Sequence, residues 1–170
     1  MPTVAITDYT FPSLETEEAI LRPLGVEIVA GQCKTVEALI PLVRDVDAVI
    51  TQFAPVKAEV IAAMAKARVI VRYGIGVDNI DLEAARERGI PVCNVPDYCI
   101  DEVADHTLAF ILSTTRQVVP HCLHIRDGKW GLATAVDRFW TLRDQTVGIV
   151  GFGRIGREVA ARLGPFKCRR

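Results

Sequence analysis

Three glycines at fixed intervals, Gly151, Gly153 and Gly156, follow an apolar run, Thr146-Val147-Gly148-Ile149-Val150, and open onto a helix-forming segment, Arg157 to Leu163. Each position suits a separate physical task. Gly151 permits a tight turn, Gly153 lets backbone N–H groups approach an anion, and Gly156 lets a helix pack closely on the strand that feeds it. The helix N-terminus adds the positive end of a dipole. Buried strand, glycine turn and helix in this order are the fingerprint of a dinucleotide pyrophosphate site, whereas the glycine string alone would be a turn with no ligand. The fingerprint also calls for an acidic residue about 20 positions further on, and the sequence reaches Arg170 first.

A second candidate is Gly74-Ile75-Gly76-Val77-Asp78-Asn79, directly after the run Val69-Ile70-Val71. Gly74 and Gly76 can bring N–H groups close to a small anion such as a carboxylate. They suit a turn of positive φ without any ligand equally well. Arg72 reads as a surface strand residue rather than a catalytic cation, and His106, on the polar side of its helix, is given no role. His121 and His124 stand at i, i+3 with no second cluster to complete a tetrahedral site, so no metal is expected. Five cysteines, odd in number and without C-x-x-C spacing, point to reduced thiols in a cytoplasmic protein.

The elements that must position these groups alternate along the chain. Short apolar strands are expected at 4–7, 26–29, 47–50, 69–71 and 90–93. Helices are expected at 14–21, with Ser13 as cap, and at 36–43, around Val60, Ile61, Met64 and Ala65, and at 82–88, ended by Gly89. This βαβ alternation calls for a parallel sheet covered on both faces, flavodoxin-like, with ligands beyond the carboxyl ends of the strands. The loops 51–55 and 74–79 lie there. A long helix opening at Asp101 and Glu102 carries an apolar stripe of Val103, Ala104, Thr107, Leu108, Ile111 and Leu112 that must be covered. Beyond it, residues 118–143 read as an arm in which Trp130 and Trp140 are packing anchors, with a dimer contact slightly favoured.

Composition narrows the classes. Half of the 170 residues are apolar and the formal net charge is −1, which fits a globular core and gives nucleic acid and anionic membranes nothing to hold. No apolar run has the length of a membrane span and no leader pattern opens the chain.

Arg72-Tyr73-Gly74-Ile75-Gly76-Val77-Asp78-Asn79-Ile80-Asp81, then Val95-Pro96-Asp97-Tyr98-Cys99 with Glu102-Val103-Ala104-Asp105-His106, then the glycine fingerprint, closely resemble the D-isomer-specific 2-hydroxyacid dehydrogenases. The likeness is nearest to the branch of phosphoglycerate dehydrogenase-like enzymes and bacterial relatives of the C-terminal-binding proteins. The resemblance implies a flavodoxin-like substrate domain over residues 1–98, then over 99–170 a linking helix, a dimerisation arm and the first β-α unit of a Rossmann NAD-binding domain. It implies hydride transfer between NAD and a 2-hydroxy or 2-oxo acid, by a homodimer. Gly74, Ile75 and Gly76 would then lie at the substrate carboxylate, with Ile75 also at the cofactor. Gly151, Gly153, Arg154, Ile155 and Gly156 would hold the pyrophosphate. Position 100 usually carries a small hydroxyl residue that touches the cofactor, and Ile100 there cannot accept a hydrogen bond. Gln52 and Phe53 replace the basic or hydroxyl residue that some members set against an acidic substrate, which disfavours a phosphorylated one. The family's arginine, carboxylate and histidine lie beyond the fingerprint, so no catalytic residue is expected in this chain. It reads as a fragment, inactive alone, poorly stable past about residue 100 unless it self-associates. A non-catalytic, dinucleotide-responsive interaction module is the alternative.

Overall fold

Each short apolar run bounded by breakers becomes a strand, and each cap-marked segment between them a helix. In the computed structural model, which describes residues 1–170, the chain divides into two compact units, Met1–Tyr98 and Cys99–Arg170.

Unit 1 runs β1 (Thr3–Ile6), α1 (Glu15–Leu21), β2 (Glu27–Ala30), α2 (Val36–Val43), β3 (Ala48–Thr51), α3 (Ala58–Ala63), β4 (Ile70–Arg72), α4 (Leu82–Glu87) and β5 (Val92–Cys93). The five strands form one sheet in the order β2-β1-β3-β4-β5, every neighbouring pair parallel. That is the flavodoxin-like order. Register sets Val4 against Ala48 and Thr51 against Arg72, so the carboxyl ends of β1, β3 and β4 finish side by side. Leu39 and Val43 of α2, Val60 and Ile61 of α3, and Ala85 of α4 close over the sheet with no solvent exposure. Each large aliphatic side chain so buried is worth roughly 1.5–3 kcal/mol. Thr35 caps α2 through its hydroxyl, which accepts from the Ala38 N–H at 3.3 Å. Helix α1 differs from expectation. Its N-cap is Leu14, with no side-chain cap bond, because the helix begins one residue later and leaves Ser13 outside reach of its free N–H groups.

Helix α3 ends at Ala63, short of the expected apolar face, and Ala65 lies beyond it. An arginine from the next helix region finishes it. The Arg88 guanidinium donates to the carbonyls of Ile61, Ala62 and Met64 at 2.8, 2.8 and 2.7 Å, satisfying acceptors that a helix C-terminus leaves open.

Unit 2 contains α5 (Ile100–Thr115), α6 (Val118–Arg126) and α7 (Arg154–Leu163). Ala104, Leu142, Val159, Leu163 and Cys168 form its buried core, with Leu108, Ile111 and Leu112 packed against it. The stripe on α5 is thus covered within the unit by α7, although Val103 stays 38% exposed. Arg162 of α7 holds α5 by ion pairs to Asp101 and Asp105, both at 2.5 Å, and also pairs with Glu158 at 2.7 Å. One expectation fails here. Residues 146–150 do not form a buried strand: the segment makes a single bridge, Thr146 to Arg169, and Val150 is fully exposed. No neighbouring strand flanks it within this chain, and an isolated strand has nothing to pair with. Trp130 and Trp140 are 94% and 49% exposed, so neither ring is buried within this chain, and intramolecular packing, the less favoured reading of the pair, is not what the unit shows.

Candidate functional site

The carboxyl end of the sheet in unit 1 is organised by a buried acid. Asp8, two residues past β1, accepts from the backbone N–H groups of Gln52 at 2.9 Å and Phe53 at 2.7 Å, and from the Thr7 hydroxyl at 2.8 Å. Burial pushes the carboxyl upward, but these donors outweigh it and hold the pKa below its ordinary 3.8. The loop after β3 is thereby fixed as a constrained turn. Arg72, the last residue of β4, clamps the same loop from the other side, its Nε donating to the Gln52 carbonyl at 3.2 Å and its guanidinium lying over the Phe53 ring. Arg72 is therefore a loop-holding strand residue.

The loop after β4 is laced to its neighbours. Tyr73 N–H donates to the Thr51 carbonyl at 2.8 Å, Asn79 Nδ2 to the Ala54 carbonyl at 3.0 Å and Lys57 to the Asp78 carbonyl at 3.3 Å. From the β5 side, Val95 N–H reaches the Gly74 carbonyl at 3.0 Å and Asn94 Nδ2 the Ile75 carbonyl at 2.7 Å. With both carbonyls taken, the peptides of 74–76 are fixed. The N–H groups of Ile75 and Gly76 enter no hydrogen bond within the chain. Such a fixed pair of donors suits a small anion. Gly74 has φ +147, a conformation that favours glycine, and a Cβ there would push the Arg72 guanidinium aside. Gly76 has only ordinary contacts.

Beside these loops lies a cavity of about 280 Å³ lined by Phe11, Gln52, Tyr73, Gly74, Val95 and Tyr98. Phe11 meets the Tyr73 ring edge-on at 5.2 Å, and the Tyr73 hydroxyl donates to Glu17 of α1 at 2.9 Å. Burial, then the hydrogen bond and charge of Glu17, push the phenol well above its ordinary 10.0. Sequence reasoning missed Asp8, Gln52 as a wall residue and the Tyr73–Glu17 pair. The available signal for Asp8 was an acid placed immediately after an apolar strand, at the end where the ligand loops gather.

In unit 2 the glycine turn has a distinct geometry at each position. Gly151 takes φ +92, a left-handed conformation that costs any other residue strain. A Cβ at Gly156 would run into the Gly151 carbonyl oxygen, while one at Gly153, the N-cap of α7, would meet nothing within 4 Å. Locked helix, tight turn and open approach fit the phosphate bridge of a dinucleotide. Arg154 and Ile155 begin α7. Ile100 is the first residue of α5, and the Asp101–Arg162 pair puts that end beside the last turn of α7. It therefore stands roughly 12 Å along the helix axis from the glycine turn.

His106 is exposed and stacks edge-on with Phe110. His121 is engaged within the arm, Nδ1 with the Gln117 carbonyl at 2.8 Å and Nε2 with the Ala133 N–H at 3.3 Å. The structure gathers no group of three metal-ligating side chains, all five cysteines are free, and no helix is long and apolar enough to cross a membrane.

A flavodoxin-like parallel sheet with laced loops at its carboxyl edge, followed by a glycine turn at a helix N-terminus, defines an α/β protein of the ligand-binding, doubly wound class. Residues 4–161 match the family described as D-isomer specific 2-hydroxyacid dehydrogenase, catalytic domain. The chain belongs to that family. It is 40% identical over 139 residues to a glyoxylate reductase of Pyrococcus furiosus, covering 78% of this chain and 41% of that protein. It is 38% identical over 148 residues to a D-3-phosphoglycerate dehydrogenase of Rattus norvegicus, covering 86% of this chain and 27% of that one. Its structure is similar to the NAD-dependent formate dehydrogenase of Staphylococcus aureus in complex with NAD, with a TM-score of 0.86 at 28% identity, over 99% of this chain and 54% of that one. The chain thus spans about two fifths of the length of the glyoxylate reductases it matches.

Proposed function

We propose that the protein carrying this chain transfers hydride between NAD and a D-2-hydroxy or 2-oxo acid. The observation that supports this most directly is the glycine turn, where Gly151, Gly153 and Gly156 each meet a separate steric demand of a dinucleotide phosphate bridge. On this reading Gly74, Ile75 and Gly76 would hold the substrate carboxylate, through the Ile75 and Gly76 N–H groups, and Ile75 is also assigned to the cofactor. Gly151, Gly153, Arg154, Ile155 and Gly156 hold the pyrophosphate, and Ile100 lines the cofactor site without a hydrogen bond. NAD, when bound, supplies the hydride chemistry. The chain's own residues bind and orient the acid. The arginine, carboxylate and histidine that complete proton transfer lie outside residues 1–170, so this chain alone does not turn over. A non-phosphorylated acid is the favoured substrate, since Gln52 and Phe53 offer no cation of their own after β3. Domains of residues 1–98 for substrate and 99–170 for linkage, dimerisation and the opening of the nucleotide domain complete the reading, as a cytoplasmic homodimer.

The test is oxidation of NADH with a panel of 2-oxo acids. The full-length protein should turn over at least one, and the purified chain none. Turnover by the chain refutes its inactivity. Failure of the full-length protein with the whole panel refutes the dehydrogenase reading and leaves a dinucleotide-responsive interaction module, for which the exposed Trp130, Phe110 and Val119 of unit 2 offer a surface. Sedimentation of the chain at increasing concentration tests the homodimer, and a monomer throughout would count against it.

A further inference from the structure

In unit 2, His121 of α6 stands between the end of α5 and the second half of the arm. Its Nδ1 lies 2.8 Å from the Gln117 carbonyl oxygen, and its Nε2 lies 3.3 Å from the Ala133 backbone nitrogen. A carbonyl only accepts and a backbone amide only donates, so the two contacts fix one form of the ring: Nδ1 carries the proton and Nε2 offers a lone pair. Further along the arm, Trp140 N–H donates to the Thr115 carbonyl at 3.0 Å, the Trp140 carbonyl accepts from Arg116 at 3.5 Å, and the Phe139 ring lies against the imidazole at 5.1 Å. Next to Ala133, the Thr134 hydroxyl oxygen is buried with no partner, a cost that the docked segment bears and that water would relieve. Gln117 is left-handed, at φ +52, a conformation that a residue with a side chain keeps only where its surroundings enforce it.

We propose that His121 is an acid-sensitive latch within the arm: a second proton on its ring frees the segment around Ala133 from α6 and leaves the corner between α5 and α6 in place. The asymmetry follows from the two contacts. Nδ1 donates to the Gln117 carbonyl in either charge state, so that bond survives protonation and gains from the charge. Nε2 turns from acceptor to donor, and two donors then face each other at Ala133. Charge acts in the same direction. The Arg116 guanidinium already lies over the Phe139 ring, 5.6 Å from its centroid, and the ion pairs of unit 2 are those of Arg162 and the Lys129–Asp127 pair, so neither Arg116 nor a charged His121 is paired with a carboxylate. His124 on α6, and Asp137 and Arg138 in the turn Val136–Arg138, make no bond to the ring. Imidazole is the side-chain group that takes up a proton in mildly acid solution. Leu132 and Val136, on either side of Ala133, are 60% and 71% exposed, so the apolar surface that this part of the arm presents is tied to the latch.

The test follows isotope-labelled chain from about pH 8 to about pH 5, reading the ring nitrogens of His121 and the exchange protection of each backbone amide, normalised to the unfolded rate at each pH. As the ring charges, protection of the Ala133 amide should fall about tenfold. The His121 amide, which donates to the Gln117 carbonyl at 3.2 Å, should keep its protection. His121→Gln offers an amide oxygen to Ala133 and takes up no proton, so Ala133 should stay protected throughout. The other two histidines, His106 and His124, are replaced together by glutamine, and the step at Ala133 should remain. An Ala133 amide that stays protected while the ring charges, a ring that stays uncharged over this range, a step that survives His121→Gln, or one that vanishes with His106 and His124 would each overturn the proposal. So would an equal loss at the His121 amide, which would show α6 opening as a whole. The wild-type comparison decides even if a variant does not fold.

Discussion

An alanine at Gly156 would press its Cβ into the Gly151 carbonyl oxygen, 3.2 Å from that carbonyl's carbon and 3.5 Å from Ile149 Cγ2. The obstacle is backbone, so it yields only if the turn moves. Overpacking of this kind costs about 1–3 kcal/mol, and the gain in helix propensity returns about 1 kcal/mol. Because the clash is with backbone, the upper end of that range applies, and a net loss of roughly 1–2 kcal/mol follows. Gly151→Ala has open space around it and loses stability through φ +92 alone, again by roughly 1–2 kcal/mol. Gly153→Ala has neither problem, with φ −77 and no atom within 4 Å, and should give up only glycine's N-cap advantage over alanine, about 0.5–1 kcal/mol. Urea unfolding followed by tryptophan emission isolates these effects, because Trp130 and Trp140 both lie in unit 2. On the proposed function, Gly153→Ala in the full-length protein should instead weaken NADH binding about tenfold, its methyl standing where the phosphates approach. If Gly153→Ala destabilises as much as Gly156→Ala, or if Gly156→Ala is neutral, the division of labour among the three glycines is wrong.

Acid should weaken unit 1 through Asp8, whose folded pKa lies below the unfolded 3.8. Its stabilisation is complete above that value and lost as pH falls through the lower folded one. Asp8→Asn should flatten this loss in acid unfolding followed by tyrosine emission, and an unchanged acid limb would refute it. Arg88→Ala should lower thermal stability by about 1–2 kcal/mol by stranding the carbonyls at the end of α3, with Arg88→Lys recovering part; a neutral Arg88→Ala would show those bonds to be replaceable by water. The Tyr73 phenol should ionise above 10.0, and Glu17→Gln should bring it down by removing a negative charge, which ultraviolet titration against a Tyr73→Phe blank can read.

The sheet of unit 1 was legible because its strands are short apolar runs between turn formers and its helices carry local signals. Thr35 caps α2, which spans Val36–Val43 as the pattern predicts, and Gly89 takes φ +65 just beyond α4. What escaped was set by partners distant in sequence. Asp8 reaches residues 44 and 45 positions away, and Arg88 caps a helix more than twenty residues upstream; nothing within a local window distinguishes them from solvated charges. The error in unit 2 has a different origin. An apolar run such as Thr146 to Val150 encodes a strand only where neighbours complete a sheet.

The two units therefore differ in how firmly they can hold a ligand geometry. Unit 1 closes a core that draws on three of its helices and most of its strands, and it fixes Gln52, Gly74 and Ile75 with hydrogen bonds that begin and end within residues 1–98. Opening those loops means breaking the Asp8 clamp, which couples loop order to the stability of the sheet itself. In unit 2, five residues are buried in the core while Phe110, Trp130, Val150 and Phe152 remain exposed. Local unfolding is easiest where few apolar contacts oppose it, so the glycine turn should be the more mobile of the two candidate sites in this chain. On the proposed function, selectivity among acids should then be a property that residues 1–98 can display by themselves. Dinucleotide affinity should be the weaker in this chain, since the glycine turn is the less firmly held, and for that reason the loop 74–76 is the sounder place to begin testing function.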